Sequence, residues 1–336
     1  MCASQTPSVA ARRRSGAGLL YLVMSGVLWG TGGLTGSLLS RTAGLSSIAV
    51  ATYRLAVGGA LIIVFLVLAA RRLPRGRAAW ARIVVVGVLA AVYQGCYFAA
   101  VSLTSVTLAT LVTIGISPVL VLVAERATGR RRLDRAMIST VSLALAGLSL
   151  LVGLPSGGFG AATMVASAGL AVLAAGGFAA VTLLGARPVP GLDELTTTGL
   201  GFTVGGLLLA PVAETTASLG FNPDAVSIGL LIVLGTAPTA VAYTLYFRGL
   251  RTVGASTAAV MALLEPLTGA LLAALVLGDR LGAAGTAGAV LLVVAVVLAA
   301  RAPKGHGVGF TDQQHAATGP VIVPAERTAE RGGPRR

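Results

Sequence analysis

Apolar stretches of roughly the length needed to cross a bilayer recur along almost the whole chain. A helix needs about 20 apolar residues to span the hydrocarbon. Ten runs meet that requirement, at 17–39, 47–70, 83–100, 105–124, 136–153, 162–185, 195–213, 227–247, 253–277 and 282–300. Charged or turn-rich segments separate them, among them RRLPRGR, GRRRLDR, LPSGGFG and FNPDA. Only 11% of the 336 residues are charged, 55% are apolar and 5% aromatic. A soluble domain carries about 25% charge because its surface faces water. These runs therefore predict an all-α integral membrane protein of ten transmembrane helices. The stretch at 17–39, preceded by Arg12, Arg13 and Arg14, is too long for a signal-peptide core and reads as an uncleaved first span.

The net charge of +14 is not spread as a nucleic-acid surface would need. The arginines sit in short clusters between apolar runs, without a basic face that alternates with aromatics. Such clusters are how membrane proteins encode orientation. With the N-terminus placed in the cytoplasm, the inner segments hold Arg71, Arg72, Arg75, Arg77, Arg82, Arg126, Arg130–Arg132, Arg135, Arg187, Arg248, Arg251 and Arg301. The outer segments keep only Arg41 and Arg280. This asymmetry predicts an even number of spans in the cell membrane with both termini cytoplasmic. Two cysteines, Cys2 and Cys96, offer neither a disulfide framework nor a metal site.

The two halves of the chain echo each other. YFAAVSLTSVTLATLVTIGISP, ending at Pro118, resembles YFRGLRTVGASTAAVMALLEP, ending at Pro266, and GVLWGTGG echoes AVLAAGGF. Five spans per unit is odd, so a second copy enters the membrane inverted. The connector between spans three and four carries no arginine, whereas its counterpart carries Arg248 and Arg251. Equivalent connectors thus face opposite sides, as in carriers built from inverted repeats. The expected organisation is a tail at 1–16, five-helix units at 17–153 and 162–300, and a disordered tail at 301–336.

The segment YFRGLRTVGASTAAVMALLEPLTGALLAALVLGDRL resembles the second-half signature of the EamA family in the drug/metabolite transporter superfamily. Trp29-Gly30 in the first span and Ser117-Pro118 in the fourth are similar to that family's pattern, and the likeness runs over residues 17–300. It implies a ten-helix export carrier with a central cavity, cytoplasmic termini and small metabolites as substrates. Asp279 departs from the pattern, which more often has glutamate there.

Two ionisable side chains fall inside the spans. Glu265 lies near the middle of the ninth, before Pro266, where a charge must be protonated, paired or facing a wet cavity. Solute-amine recognition, proton coupling and a structural role beside the proline all fit. Arg54 lies about two turns into the second span and either snorkels outward, binds a carboxylate or phosphate in the cavity, or pairs with Glu265. Tyr93 and Tyr97 share a helix face, and Gln94 stands beside them as an uncharged polar partner. Tyr243 and Tyr246 in the eighth span suit either a cavity wall or an interfacial belt. Trp29 sits mid-span, where it lines the cavity or packs at the junction of the repeats. Pro118, Pro238 and Pro266 each remove a helical hydrogen bond, and kinks in matching positions of two halves point to a binding site. Gly26 and Gly30 form a small-residue packing face.

No enzyme motif or cofactor site is present, and His306 and His315 both lie in the C-terminal tail. The expected function is secondary transport of a small polar or amphipathic solute, such as an amino acid or drug, by alternating access. The cavity would lie among spans 1, 3, 4, 6, 8 and 9, with a solute or proton gradient as the driving force. A membrane scaffold without a polar cavity is the alternative, and the sequence leaves monomer and homodimer both open.

Overall fold

A computed structural model describes residues 9–130, 134–153, 158–277 and 281–301. Asp279, the tail histidines and the tails at 1–8 and 302–336 lie outside them. Among the described residues, ten helices are long and apolar enough to span a membrane. They are α1 (Val9–Ala43), α2 (Ser47–Leu68), α3 (Arg77–Leu103), α4 (Val106–Ala127) and α5 (Arg135–Val152) in the first half. The second half has α6 (Ala161–Gly185), α7 (Glu194–Ala217), α8 (Ala225–Val253), α9 (Ala255–Val276) and α10 (Ala283–Arg301). Large apolar side chains such as Phe65, Val67, Val165, Leu173, Leu207 and Leu275 point outward, as lipid-facing residues must.

Short polar side chains start many of these helices. Ser46, Ser105, Asp134, Asp193 and Asp224 each accept a hydrogen bond from the backbone N–H three residues on, satisfying a donor that the helix cannot. The backbone N–H of Ser227, donating to the Asp224 side chain, holds that carboxyl below its ordinary value. Inside the spans, Thr and Ser hydroxyls return to carbonyls one turn back, as Thr52 does to Ile48 and Thr198 to Glu194.

The prolines act differently from one another. The chain turns at Ala262 and Leu263, so α9 consists of Ala255–Met261 and Leu264–Leu272 followed by a π-helical end. This break falls where the Pro266 ring excludes a regular turn. Pro238 lies in the π-helical stretch Thr236–Val241 of α8. Pro118 leaves α4 continuous, so the kinks of the two halves do not match. Ser117, the residue before this proline, donates its hydroxyl to the Thr113 carbonyl four residues back.

Packing partners respect a twofold relation in which each helix of the first half matches the one five places later. Helix α1 packs on α8 and α9, and its counterpart α6 packs on α3 and α4. The pair α2–α8 is mirrored by α7–α3, while α2–α7, α4–α9 and α5–α10 pair equivalent helices with each other. The fold is two inverted five-helix units interlocked around a common centre. Close crossings rest on glycine. A Cβ on Gly288 would stand 2.6 Å from the Gly147 carbonyl oxygen, and one on Gly147 would stand 2.9 Å from that of Gly288. Backbones this close gain dispersion that larger residues would block.

Replacing Gly288 by leucine should therefore force α5 and α10 apart. The expected loss is about 1–3 kcal/mol from overpacking, read as a lower melting temperature of the purified protein in detergent.

Candidate functional site

Arginine marks one face of the bundle. Arg71, Arg75, Arg77, Arg126, Arg130, Arg135, Arg187, Arg248, Arg251 and Arg301 occupy helix ends or connectors on the face where α1 begins. Among the described residues Arg41 is the one arginine at the opposite, arginine-poor face.

A cavity of about 320 Å3 runs from mid-bundle toward that arginine-poor face. At its mouth stand Ser37, Ser40 and Arg41 of α1, Ser47 of α2, and Val101 and Val106 of α3 and α4. At depth it is lined by Arg54, Tyr93, Gln94, Tyr97 and Glu265, which the structure thus brings together. Room for it comes from Gly32, Gly33 and Gly36 on one side of α1. A Cβ on Gly33 would meet nothing within 4 Å. On the other side of α1, a Cβ on Gly26 would stand 2.7 Å from the Leu264 Cβ, and one on Gly30 would collide with Thr268. The glycines of α1 thus serve two ends, close packing on α9 and open space.

Arg54 points inward rather than snorkelling. Its Nε donates to the Thr239 hydroxyl at 3.1 Å and its Nη2 to the Pro238 carbonyl at 3.2 Å, both in the π-helical stretch of α8. Glu265 lies just past the break in α9, across the same cavity. Among the described residues no ion pair joins Arg54 to Glu265 and no hydrogen bond reaches the Glu265 carboxylate. The Nε2 of Gln94 is buried without a partner, and the Tyr97 hydroxyl pairs with that of Thr110 at 2.8 Å. An arginine, a glutamate, an idle amide donor and aromatic walls therefore share one chamber.

Trp29 and Tyr243 lie off this wall. They are 2% and 3% exposed, in an aromatic cluster between the cavity and the arginine-rich face. The Trp29 ring centroid lies 4.8 Å from those of both Tyr243 and Tyr246 and 5.9 Å from that of Phe178. Phe202 meets Tyr243 edge-on at 4.5 Å. The Tyr246 hydroxyl is buried against that of Thr182, 2.9 Å away, so this tyrosine is no interfacial anchor. The cluster plugs the floor of the cavity.

The wall also differs in its helices. Helix α2 contributes Ser47, Val50, Ala51 and Arg54, while α6 contributes nothing to the main chamber. Gly177 of α6 packs on Tyr93, and the Ala171 carbonyl accepts from Thr113, which seals α6 against α3 and α4. Phe178 instead borders a small adjoining void with Tyr93, Thr113, Ser117 and Glu265. Of the three prolines, Pro238 carries the carbonyl that holds Arg54 and Pro266 sets the break beside Glu265, whereas Pro118 shapes no part of the wall. Sequence reasoning passed over Thr239, Thr113 and the mouth serines. The GTGGLTGS run of α1 was the one available signal for the glycine-lined side.

Comparison with known proteins agrees with this architecture. The model of the EamA-like transporter family matches residues 16–153 and again 166–301. The chain is 28% identical over 286 residues to the uncharacterized transporter YwfM of Bacillus subtilis, covering 85% of this chain and 94% of that protein. It is 25% identical to the uncharacterized inner membrane transporter YicL of Salmonella typhimurium, covering 84% and 94%. A solved structure described only as the crystal structure of a protein superposes with a TM-score of 0.71 at 19% identity, over 84% of this chain and 98% of that one. That last likeness concerns the fold alone. With the family model matching both halves, this membrane protein belongs to the EamA-like transporter family.

Proposed function

We propose that the protein is a secondary carrier that exports a small zwitterionic or amphipathic solute, of the amino-acid class, by alternating access. One observation carries this reading. Arg54 and Glu265 face one cavity with opposite charges and are not paired to each other. Burying charge at mid-membrane is costly unless a partner or water meets it. A solute with a carboxylate and an ammonium group supplies both partners at once, and a neutral polar group can take the Gln94 amide. Tyr93, Tyr97 and Phe98 offer apolar surface for the rest of the solute. The volume lies at the small end of ligand sites, which suits a metabolite.

The distribution of arginine supports placing the arginine-rich face, and with it both termini, in the cytoplasm. The protein would then be drawn open to the outside, with the aromatic plug as the inner barrier. Glu265 can serve as the proton-coupling group, because a carboxylate emptied of its ammonium partner gains from protonation in this setting. A scaffold without transport would have no need of a charged chamber.

Proteoliposomes loaded with a panel of amino acids and related amphipathic solutes provide the test. At least one zwitterion should leave faster than from protein-free liposomes, and Glu265→Gln and Arg54→Gln should each slow it at least about tenfold. If no solute in the panel moves, the reading fails.

Gly33→Leu should abolish efflux with little change in melting temperature, because its side chain enters open space. Gly30→Leu should instead lower the melting temperature, because it collides with α9. A cysteine at position 94 should be protected from thiol reagents by the transported solute, whereas one at position 243, off the wall, should not.

A further inference from the structure

The inverted repeat makes the two ends of the bundle comparable position by position, and at one pair of positions the ends differ in kind. Helices α2 and α7 are equivalent, and each starts directly after a capping side chain, Ser46 or Asp193. Their first residues are Ser47 and Glu194. Helices α3 and α8 are equivalent through Tyr97 and Tyr246, which sets Ser102 against Arg251. On the arginine-rich side these positions hold an ion pair, with Arg251 Nη1 2.8 Å from Glu194 Oε1. The side chains are only 29% and 13% exposed, so water screens the pair weakly. Arg251 Nη2 also donates to the Leu192 carbonyl at 3.3 Å. On the arginine-poor side the same positions are two serines, which cannot make such a pair.

Neighbouring contacts close the same end. Arg82 of α3 donates to the Leu184 and Arg187 carbonyls at the end of α6, and the buried Thr182–Tyr246 bond joins α6 to α8. Between Arg82, Thr197, Glu194 and Arg251 only about 10 Å3 remains open, and the larger hollow at that end, about 280 Å3, lies on the other side of Arg251, among Glu125, Arg130 and Ser256, apart from the chamber of about 320 Å3.

Building on the proposed carrier, we infer that Glu194 and Arg251 are positioning residues that set its resting orientation, latching the arginine-rich side shut and leaving the chamber open at the arginine-poor side. To open the other way, α7 and α8 must separate and both charges must find new partners. Closing the opposite end creates no equivalent pair, since Ser47 and Ser102 stand there. The free-energy difference between the two orientations therefore contains a one-sided electrostatic contribution, and an empty carrier waits facing the arginine-poor side. Inward opening in the ordinary cycle then draws on the differential binding of a solute.

Labelling of single cysteines in the full chain, with Cys2 and Cys96 replaced by serine, tests the latch without any solute. One cysteine replaces Thr197, beside the closed space, and the other replaces Ser40, at the open mouth. A membrane-impermeant thiol reagent is applied to vesicles of either orientation. Glu194→Gln should speed labelling at 197 about tenfold and slow it at 40, a reciprocal change that simple loosening would not produce. Exchanging the charges, with Glu194→Arg and Arg251→Glu together, should return both rates to their starting values. Unchanged rates, or acceleration at both positions, would overturn the inference and leave a static staple in its place. Because labelling needs no transported solute, its outcome is independent of the efflux experiment.

Discussion

A chain surrounded by hydrocarbon must pair every backbone N–H and C=O within itself, because lipid offers no substitute partner. Most of this structure follows from that constraint. Helices run nearly uninterrupted, serine and aspartate side chains cap their starts, and threonine hydroxyls fold back onto the preceding turn. The two ionisable side chains inside the spans both sit beside places where a ladder is broken. Those places are Pro238, with its π-helical turn, and the break of α9 before Pro266. At the first, the guanidinium of Arg54 docks on a carbonyl and a hydroxyl of α8. At the second, the Glu265 carboxylate faces the chamber without a protein partner. The chemistry of the site and the defects of the helices are therefore one feature.

Packing follows from the same solvent. Helices in lipid gain little from hiding apolar surface, so they associate through close backbone approach and dispersion. Gly147 with Gly288, and Gly26 and Gly30 with α9, show this directly. Glycine also makes empty space, as Gly33 does, so one residue type supports opposite outcomes on different faces of one helix. The aromatic cluster around Trp29 is the complement of those glycines. It fills the bundle where the glycines leave it open, and it places the boundary of the chamber between Gly32 and Trp29. Trp29 Nε1 and the Ser25 hydroxyl remain unpartnered in that filled region.

Symmetry and its breach divide the labour. The contact pattern is preserved when each helix is exchanged for the one five places away. The side chains do not obey the exchange. Arg54 and Glu265 have no matching pair, Pro118 does not break its helix as Pro266 does, and Glu194 with Arg251 faces two serines. In the proposed cycle a symmetric backbone would supply the two orientations, and the asymmetric side chains would weight them.

The amino-acid sequence by itself determined the number of spans, the face on which the arginines lie and the inversion of the second half. Each of these depends on local length or on charge at a connector, and neither needs knowledge of neighbours. It also singled out Arg54, Tyr93, Gln94, Tyr97 and Glu265, because a polar group in an apolar run stands out whatever surrounds it. Only the tertiary structure decided which of the candidates share a wall. Trp29 and Tyr243 carry the same local signal as Tyr93, yet they pack in the floor, because the rotation of α1 and α8 is set by contacts across the bundle. For the same reason α2 rather than α6 completes the chamber, and residues 57 positions apart, Glu194 and Arg251, meet at 2.8 Å. Periodicity shows that a helix has faces, but the neighbours settle where each face points.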